Sequence, residues 1–197
     1  YSHGTPEQRK KYIPKLASGE WIGCMGLTEP NAGSDVASMT TTADKKGDKY
    51  VINGSKIFIT NGPIADVAVV YAKTQPEKKH AGISAFIVEK DTPGFKSGAN
   101  LIKMGVSTSQ TSELFFNNCE IPASHLLGKE GDGFNMSLQT VEWDRSALLA
   151  PFVGAATFML TRCVEYAKTR EQFGRTIGQF QAIKRKLANI RIFGEAA

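Results

Sequence analysis

The period of the apolar residues changes twice along the chain, from a helical period to a strand period and back again. Residues 5–18 have the period of a short helix. From about residue 22 to residue 121, short runs of β-branched and aromatic residues alternate with turn residues. After Pro122, apolar residues again recur three and four positions apart. A block of strands followed by a block of helices is typical of an α+β protein or of two domains.

The first helix is predicted from the residues at its start. Thr5 and Gln8 have the spacing of a capping box, and Pro6 suits the first helical position. Pro14 is expected to interrupt this helix, because a proline inside a helix has no N–H to donate. The sequence therefore predicts a short, interrupted helix ahead of the strands.

The middle block is expected to form a β-barrel or a β-sandwich. Within it, Asn53 and Gly54 are typical of a tight hairpin turn, and the residues KKGDK at 45–49 indicate another turn. Further strands are predicted at 66–74, 82–90 and 112–121.

The last block is expected to hold three helices. One begins within 131–141, and a long one is predicted over 145–170, where Pro151 should produce a kink. The residues REQFGRTIG then form a connector, and a third helix is predicted over 179–193.

Composition excludes several classes of site. The cysteines Cys24, Cys119 and Cys163 are odd in number and lack CxxC spacing, so neither a disulfide framework nor a metal site is expected. No apolar run has the length needed to cross a membrane, so no membrane span is expected. The chain does not begin with Met, and its last helix has no clear cap. Both ends are therefore expected to lie inside a longer protein.

The net charge of +5 leaves two interpretations open. The basic residues cluster at 9–15, 78–79 and 184–186, either as solvated helix faces or as attraction for a ligand that carries phosphates. They do not form a stripe with interleaved aromatic residues, so no nucleic-acid partner is expected.

The residues LTEPNAGSD at 27–35 are the first candidate for a binding loop. Backbone N–H groups at Gly33 and Ser34 could approach a ligand closely, and Thr28 adds a hydroxyl. The chain contains neither the GxGxxG pattern of dinucleotide folds nor the GxxxxGK[ST] pattern of phosphate loops. A plain turn between strands and a ligand-binding loop both remain open.

The residues KIFITNG at 56–62 are the second candidate. On a strand, Phe58 and Thr60 lie on one face and Ile59 on the other. The first face could present a ring and a hydroxyl to a flat ligand. Alternatively, Phe58 lies in the core and Thr60 is an ordinary strand residue.

Six segments, in this order and spacing, resemble the acyl-CoA dehydrogenases. They are LTEPNAGSD, NGSKIFITNG, FIVEKDTPGF, ELFFNNCEIP, LLGKEGDGF and YAKTREQFGRTIGQFQAIKRKLA. The resemblance implies a larger homotetrameric protein that binds FAD, with an N-terminal helical domain, a middle β domain and a C-terminal four-helix domain. It places the end of the first domain at 1–20, the middle domain at 21–124 and part of the third at 125–197. The implied fold class is α+β multidomain, with a β-barrel or sandwich followed by an incomplete helical bundle.

The resemblance also implies contacts with FAD. Thr28 would bond the pyrimidine side of the flavin, and many members have Trp where this chain has Phe58. Gly33 and Ser34 would contact the FAD phosphates or, for Ser34, the substrate. The residues expected to line the flavin ring are Met25, Leu27, Thr28, Phe58, Ile59 and Thr60. The residues expected to reach the FAD of a neighbouring subunit are Arg170, Gln172, Phe173 and Gln181.

For Arg170, a second role is compatible with the first: a cation at a helix C-terminus interacts favourably with the helix dipole.

The implied reaction is the FAD-dependent α,β-dehydrogenation of an acyl-CoA thioester. A carboxylate removes the α proton while the β hydrogen leaves as hydride to flavin N5. The implied electron acceptor is an electron-transfer flavoprotein or a similar protein, in the bacterial cytoplasm or the mitochondrial matrix. Alternatives are an acyl-CoA oxidase or flavin monooxygenase of the same fold, and a non-catalytic homologue that serves as a binding or assembly module.

The identity of the base stays open. In many members it lies beyond the last residue of this chain, whereas in some branches it occupies the position of Asp144. That residue could equally be a charge at a helix start. Arg145 would lie near the thioester or CoA, or it forms a surface ion pair, and Thr74 would contact substrate. The chain departs from the family at Ser107, where most members have Arg.

Overall fold

The computed structural model describes residues 1–196. They separate into two compact units, Tyr1–Leu138 and the residues from Gln139 onward. The helices are α1 (Pro6–Ser18), α2 (Gly133–Ala147), α3 (Ala150–Thr169) and α4 (Gln181–Ala196). The strands are β1 (Gly23–Gly26), β2 (Thr42–Lys46), β3 (Lys49–Thr60), β4 (Val67–Lys73), β5 (Ile83–Glu89), β6 (Phe95–Ser97), β7 (Thr111–Pro122), β8 (Leu126–Leu127), β9 (Glu171–Gln172) and β10 (Arg175–Thr176). The domain boundaries expected after residues 20 and 124 remain predictions.

The capping box of α1 is confirmed. The Thr5 hydroxyl accepts from the backbone N–H of Gln8 at 3.2 Å, and the Gln8 side chain accepts from the Thr5 N–H at 2.9 Å. The expected interruption at Pro14 is wrong, because the helix continues to Ser18. Pro14 leaves the carbonyl of Lys10 without its helical donor, but both residues are exposed, so water can satisfy that oxygen.

Buried polar contacts fasten α1 to the sheet. The side-chain amide of Gln8 donates to the carbonyls of Ser124 and Leu126 at 2.8 and 2.9 Å. One turn further on, the Tyr12 hydroxyl donates to Glu89 at 2.7 Å. The contacts that hold this helix are therefore long-range ones, which a local sequence pattern does not indicate.

The first unit is built on one mixed sheet with the strand order β6-β7-β3-β2-β4-β5-β8, and β1 pairs with β4. The β1–β4 and β2–β4 pairs are parallel and the others antiparallel. The main core contains Ala43 of β2, Phe86 of β5 and Leu114 of β7. Distant strands of the sheet thus share one core, and the expected α+β fold class is confirmed.

The hairpin expected at Asn53 and Gly54 is wrong. These residues lie inside β3, which pairs with β2 on one side and β7 on the other. Gly54 has φ +142°, and the register shifts beside it because two residues of β7, Asn117 and Asn118, lie opposite Asn53. The β2–β3 turn lies instead in KKGDK, as expected, with Gly47 at φ +63°.

The long helix expected over 145–170 is two helices. The first, α2, continues to Ala147, and α3 begins at Ala150 with Pro151 in its first turn. Because the first turn of a helix needs no donor from its own N–H groups, a proline is tolerated there and starts a helix more readily than it kinks one. The kink inside a single helix was therefore a wrong prediction.

The expectation about membrane length also needs correction. The helical stretch Gly133–Thr169 has the length and apolar composition that crossing a membrane requires. Its most apolar 18-residue segment has a mean hydropathy of 1.6, and none of that segment is buried. Length and composition alone are weak evidence for a span, because a core helix of a water-soluble protein has the same properties. Helices of a helical bundle also have an apolar face, which they pack against the other helices of the bundle.

Candidate functional site

The loop at 27–35 is closed by its own backbone. The N–H of Glu29 donates to the carbonyl of Ala32 at 3.0 Å, and the N–H of Ala32 donates back at 3.1 Å. Pro30 and Asn31 form the tip of this turn, and both are exposed. The turn is therefore a small ordered element.

A buried ion pair joins this loop to β3. The ammonium of Lys56 lies 2.8 Å from Oε1 of Glu29, and the two side chains are 0% and 3% exposed. The same ammonium donates to the carbonyl of Leu27 at 3.3 Å. The Glu29 carboxylate also accepts from the N–H and hydroxyl of Thr40 at 2.6 and 2.8 Å, and from the N–H of Thr41 at 3.0 Å.

These contacts shift the pKa values of both members of the pair. Burial alone would raise the pKa of Glu29, but the donors from Lys56, Thr40 and Thr41 outweigh it and lower that pKa to about 2. Burial lowers the pKa of the Lys56 ammonium, and the contact with Glu29 opposes that shift. Because so many donors converge on one carboxylate, Glu29 is ionised at neutral pH.

Next to this pair, the strand exposes an aromatic ring. Phe58 is 66% exposed at φ +59°, where the register between β3 and β7 shifts, whereas Ile59 is 3% exposed and lies in the main core. Thr60 is exposed again. The alternative that places Phe58 in the core is therefore wrong. The expected flavin contact of Ile59 is limited to its backbone, because its side chain lies in the core.

The loop and the strand meet directly. The N–H of Ile57 donates to the carbonyl of Thr28 at 2.9 Å, which places Thr28 beside the bulge that carries Phe58. Within the described residues, the hydroxyls of Thr28, Ser34 and Thr60 make no hydrogen bond to the chain. The structure thus brings together unpartnered hydroxyls and an exposed ring on neighbouring segments.

Two further predicted residues, Met25 and Leu27, lie just before Thr28 in the chain. Met25 on β1 is 36% exposed and Leu27 is half-buried, so both retain surface for a ligand. At Gly33, an added Cβ would meet nothing within 4 Å, and φ lies outside the left-handed region. Neither packing nor backbone conformation requires glycine there. The close approach of a ligand is one remaining physical reason for a glycine at position 33.

Thr74 does not offer a free hydroxyl. Its Oγ1 lies 3.2 Å from the carbonyl of Gly82 and 2.9 Å from the hydroxyl of Ser84. Ser84 in turn accepts from the N–H of Gly131. The hydroxyl therefore organises a loop, and the expected substrate contact of Thr74 has no support from this geometry.

The remaining cofactor residues lie in the second unit, around an element that the sequence did not predict. The expected connector contains the β9–β10 hairpin, whose turn has Phe173 at φ +54° and Gly174 at φ +69°. Phe173 is 93% exposed at the tip. Arg170 caps the end of α3, as its second expected role requires. Arg170, Gln172 and Gln181 are also exposed.

Asp144 and Arg145 are exposed in the last turn of α2. The alternative that treats Asp144 as a charge at a helix start is wrong, because the helix begins at Gly133 and ends at Ala147. In the part of the chain that the structure describes, Arg145 makes no ion pair.

A cavity of about 170 Å³ between α1 and the sheet contains none of the predicted site residues. Tyr12, Leu16, Cys24 and Val69 are among its mostly apolar lining. In residues 1–196, no group of three or more His, Cys, Asp or Glu side chains could hold a metal ion. The candidate site therefore consists of open surface around the loop and β3.

Comparison with known proteins agrees with this architecture. Family models for the acyl-CoA dehydrogenase middle domain and C-terminal domain match residues 24–119 and 131–197. An acyl-CoA dehydrogenase of Bacillus subtilis (strain 168) is 50% identical over 98% of this chain and 51% of its own length. The solved butyryl-CoA dehydrogenase of Megasphaera elsdenii is 45% identical with a TM-score of 0.89, covering 99% of this chain and 51% of that one.

A solved prolyl acyl carrier protein oxidase is 42% identical with a TM-score of 0.91, covering 99% of this chain and 52% of that one. The chain belongs to the acyl-CoA dehydrogenase family. It spans about half the length of the curated relatives that it matches.

Proposed function

We propose that this chain is part of an FAD-dependent acyl-CoA dehydrogenase that oxidises an acyl-CoA thioester between its α and β carbons. The observation that carries the proposal is the exposed face where Thr28 meets the bulge of Phe58. A ring held outward at positive φ is an unfavourable arrangement for a residue without a ligand, and such strain is common at binding sites.

The residues of this face suit a flavin. Phe58 offers an aromatic surface for the flat ring, and the hydroxyls of Thr28 and Thr60 could bond its polar edge. The open backbone at Gly33 and Ser34 could approach phosphate oxygens. The exposed residues around the β9–β10 hairpin, with Arg170 as a cation, would reach a second FAD in a homotetramer.

When bound, FAD accepts the hydride that leaves the β carbon of the substrate. The ring of Phe58 would exclude water from one side of the reacting atoms, and Thr28 would orient the cofactor. A carboxylate must take the α proton. Asp144 is the candidate that this chain offers, with Arg145 near the thioester or CoA, and the other possibility is a carboxylate that this chain does not contain.

The implied partners follow the same proposal. The electron acceptor would be an electron-transfer flavoprotein or a similar protein. The protein would work in the bacterial cytoplasm or in the mitochondrial matrix.

A second candidate, an oxidase of the same fold, is supported by the similarity to the prolyl acyl carrier protein oxidase. It would reoxidise its flavin with oxygen. The two candidates therefore differ in their electron acceptor, which a measurement can decide.

The deciding experiment uses the protein expressed with whatever flanks this chain in its gene. We expect a yellow protein whose flavin absorption bleaches under anaerobic conditions when an acyl-CoA is added. Rapid recovery of the colour on admitting oxygen would favour the oxidase. Bound flavin that no thioester bleaches would favour a non-catalytic homologue and contradict both enzymes.

Asp144→Asn tests the base in the same assay, with Glu142→Gln on the same helix as its matched control. If Asp144 is the base, the variant stays yellow but loses bleaching, whereas the control bleaches normally. Unchanged bleaching in Asp144→Asn would assign the base to another carboxylate.

A further inference from the structure

We infer that the buried pair of Glu29 and Lys56 is a positioning device that holds Thr28 and Phe58 together as one ligand-facing surface. The inference deepens the proposed function and rests on it, because this surface is the one proposed to contact FAD. Glu29 and Lys56 do not reach the surface themselves, since both side chains are buried. They would act through the residues between and beside them.

A buried ion pair is a poor source of net stability. Both charges lose their hydration, and the attraction between them roughly offsets that loss. The pair does determine geometry. Because the ammonium of Lys56 and the carboxylate of Glu29 are in contact at 2.8 Å, they set the distance between the two segments that carry them. Here one segment is a loop and the other is a strand of the sheet.

Three consecutive residues of the loop, Leu27, Thr28 and Glu29, are all hydrogen-bonded to β3. Lys56 bonds the carbonyl of Leu27 and the carboxylate of Glu29, and between these the N–H of Ile57 bonds the carbonyl of Thr28. Thr28 is therefore held on both sides by residues that Lys56 binds. Its backbone is thus anchored to β3.

The loop is also held from behind. The Glu29 carboxylate accepts from Thr40 and Thr41, which lead into β2, the strand that pairs with β3. The carboxylate thus links the loop to two adjacent strands at once. A neutral side chain at either end of the ion pair would lose the ionic contact that holds the loop to β3.

Phe58 depends on the same pair for a different reason. Its φ of +59° is a conformation that surrounding structure must hold, because a residue with a Cβ does not favour it. Lys56 and Ile57 precede it directly, and both are fastened to the loop. Releasing them would let the bulge relax and the ring turn away.

The test must separate positioning from stability. Glu29→Gln and Lys56→Met each leave one buried charge unpaired, so each should lower the melting temperature. The double variant Glu29→Gln/Lys56→Met leaves no charge buried, and the Gln side chain can still accept from Thr40 and Thr41. Lys49→Met is the matched control, because Lys49 lies on the same strand in an exposed pair with Glu120.

The readouts are the melting temperature, the dissociation constant for FAD from titration of the apoprotein, and amide hydrogen exchange of peptides covering 27–35 and 56–60. We expect both single variants to bind FAD about tenfold more weakly, which corresponds to ~1.4 kcal/mol, and to exchange faster in both peptides. The double variant should regain most of the melting temperature and keep the weak binding and the fast exchange. Lys49→Met should resemble the wild type.

Two results would overturn the inference. In one, the double variant regains FAD affinity and slow exchange together with its melting temperature, so the pair acts through stability alone. In the other, the single variants exchange like Lys49→Met. A wild-type protein that binds no FAD would instead overturn the proposed function, and the exchange measurements would still decide whether the pair holds the loop.

Discussion

The backbone N–H of Ile57 and the carbonyl of Thr28 form a 2.9 Å hydrogen bond that joins the loop at 27–35 to the bulge of β3. On either side of this bond, Lys56 contacts Leu27 and Glu29. The residues that the family resemblance assigns to the flavin ring therefore come from segments that are fastened to each other.

Replacing Phe58 should affect ligand binding more than folding. Phe58→Ala should change the free energy of unfolding by less than ~0.5 kcal/mol, because the ring is 66% exposed. FAD binding should weaken roughly tenfold, since the ring contact is lost. Titration of the apoprotein with FAD measures this effect. Phe115→Ala, which removes an exposed ring from β7, is the control, and an equal loss of affinity there would contradict the prediction.

The same position offers a test of backbone strain. Phe58→Gly should raise the free energy of unfolding above that of Phe58→Ala by ~1 kcal/mol, because glycine adopts φ +59° without a clash of its own Cβ. Thermal unfolding of the two variants measures the difference. Equal stabilities would show that the backbone relaxes when the ring is removed.

Gly33→Ala should weaken FAD binding and leave stability unchanged. The added methyl group meets nothing within 4 Å and requires no left-handed backbone, so the free energy of unfolding should stay within ~0.5 kcal/mol. The loss of FAD affinity would come from the methyl group, which would keep the ligand from approaching the backbone closely. Gly105→Ala is the matched control, because that glycine has the same open surroundings and an ordinary φ. If both variants bind FAD like the wild type, Gly33 is not a close-approach position.

Ionisation of Glu29 should make the free energy of unfolding depend on pH. Its folded pKa of about 2 lies below the ordinary 4.5, so its contribution is complete above pH 4.5 and is lost as the pH falls toward 2. The loss is on the order of 3 kcal/mol at most.

Chemical denaturation at several pH values measures this slope for the wild type and for Glu29→Gln. Other carboxylates, including Glu89, whose pKa is also lowered, titrate in both proteins and cancel in the comparison. The variant should show the flatter dependence. Parallel curves would mean that folding does not lower the pKa of Glu29.

Gly54→Ala should destabilise the sheet strongly. A Cβ at Gly54 would lie 2.5 Å from Oγ1 and 2.8 Å from Cα of Thr41, so the adjacent backbone would have to shift. The expected loss in the free energy of unfolding exceeds ~2 kcal/mol. Gly47→Ala, at φ +63° in open space, should cost only ~1 kcal/mol. A loss at Gly54 no larger than at Gly47 would contradict the close contact.

Sequence patterns succeeded where the structure depends on neighbours along the chain. The capping box of Thr5 and Gln8 formed as expected, because its hydrogen bonds join residues three positions apart. They failed at Asn53 and Gly54, whose turn preference was overridden when β7 paired along the second edge of β3. At Pro151, the sequence indicated a break in the helix, but the kink predicted there is instead the start of α3.

The pair of Glu29 and Lys56 was missed, although the sequence contained a signal for it. Lys56 has the same parity along its strand as the buried Tyr50 and Ile52, and a lysine at a core-facing position needs a carboxylate partner. Nothing in the spacing showed which carboxylate that would be. Only the fold brings the loop to the strand and selects Glu29.

The sequence by itself determined the division into strands and helices, the cap of α1, the turn at Gly47 and the membership in the family, since these depend on local conformation or on motifs in register. The tertiary structure decided that Phe58 faces outward and that a buried lysine fastens the loop. These outcomes depend on strand pairing, a bulge and desolvated charges. All three are contacts between segments far apart in the chain, and periodicity along the chain carries no information about them.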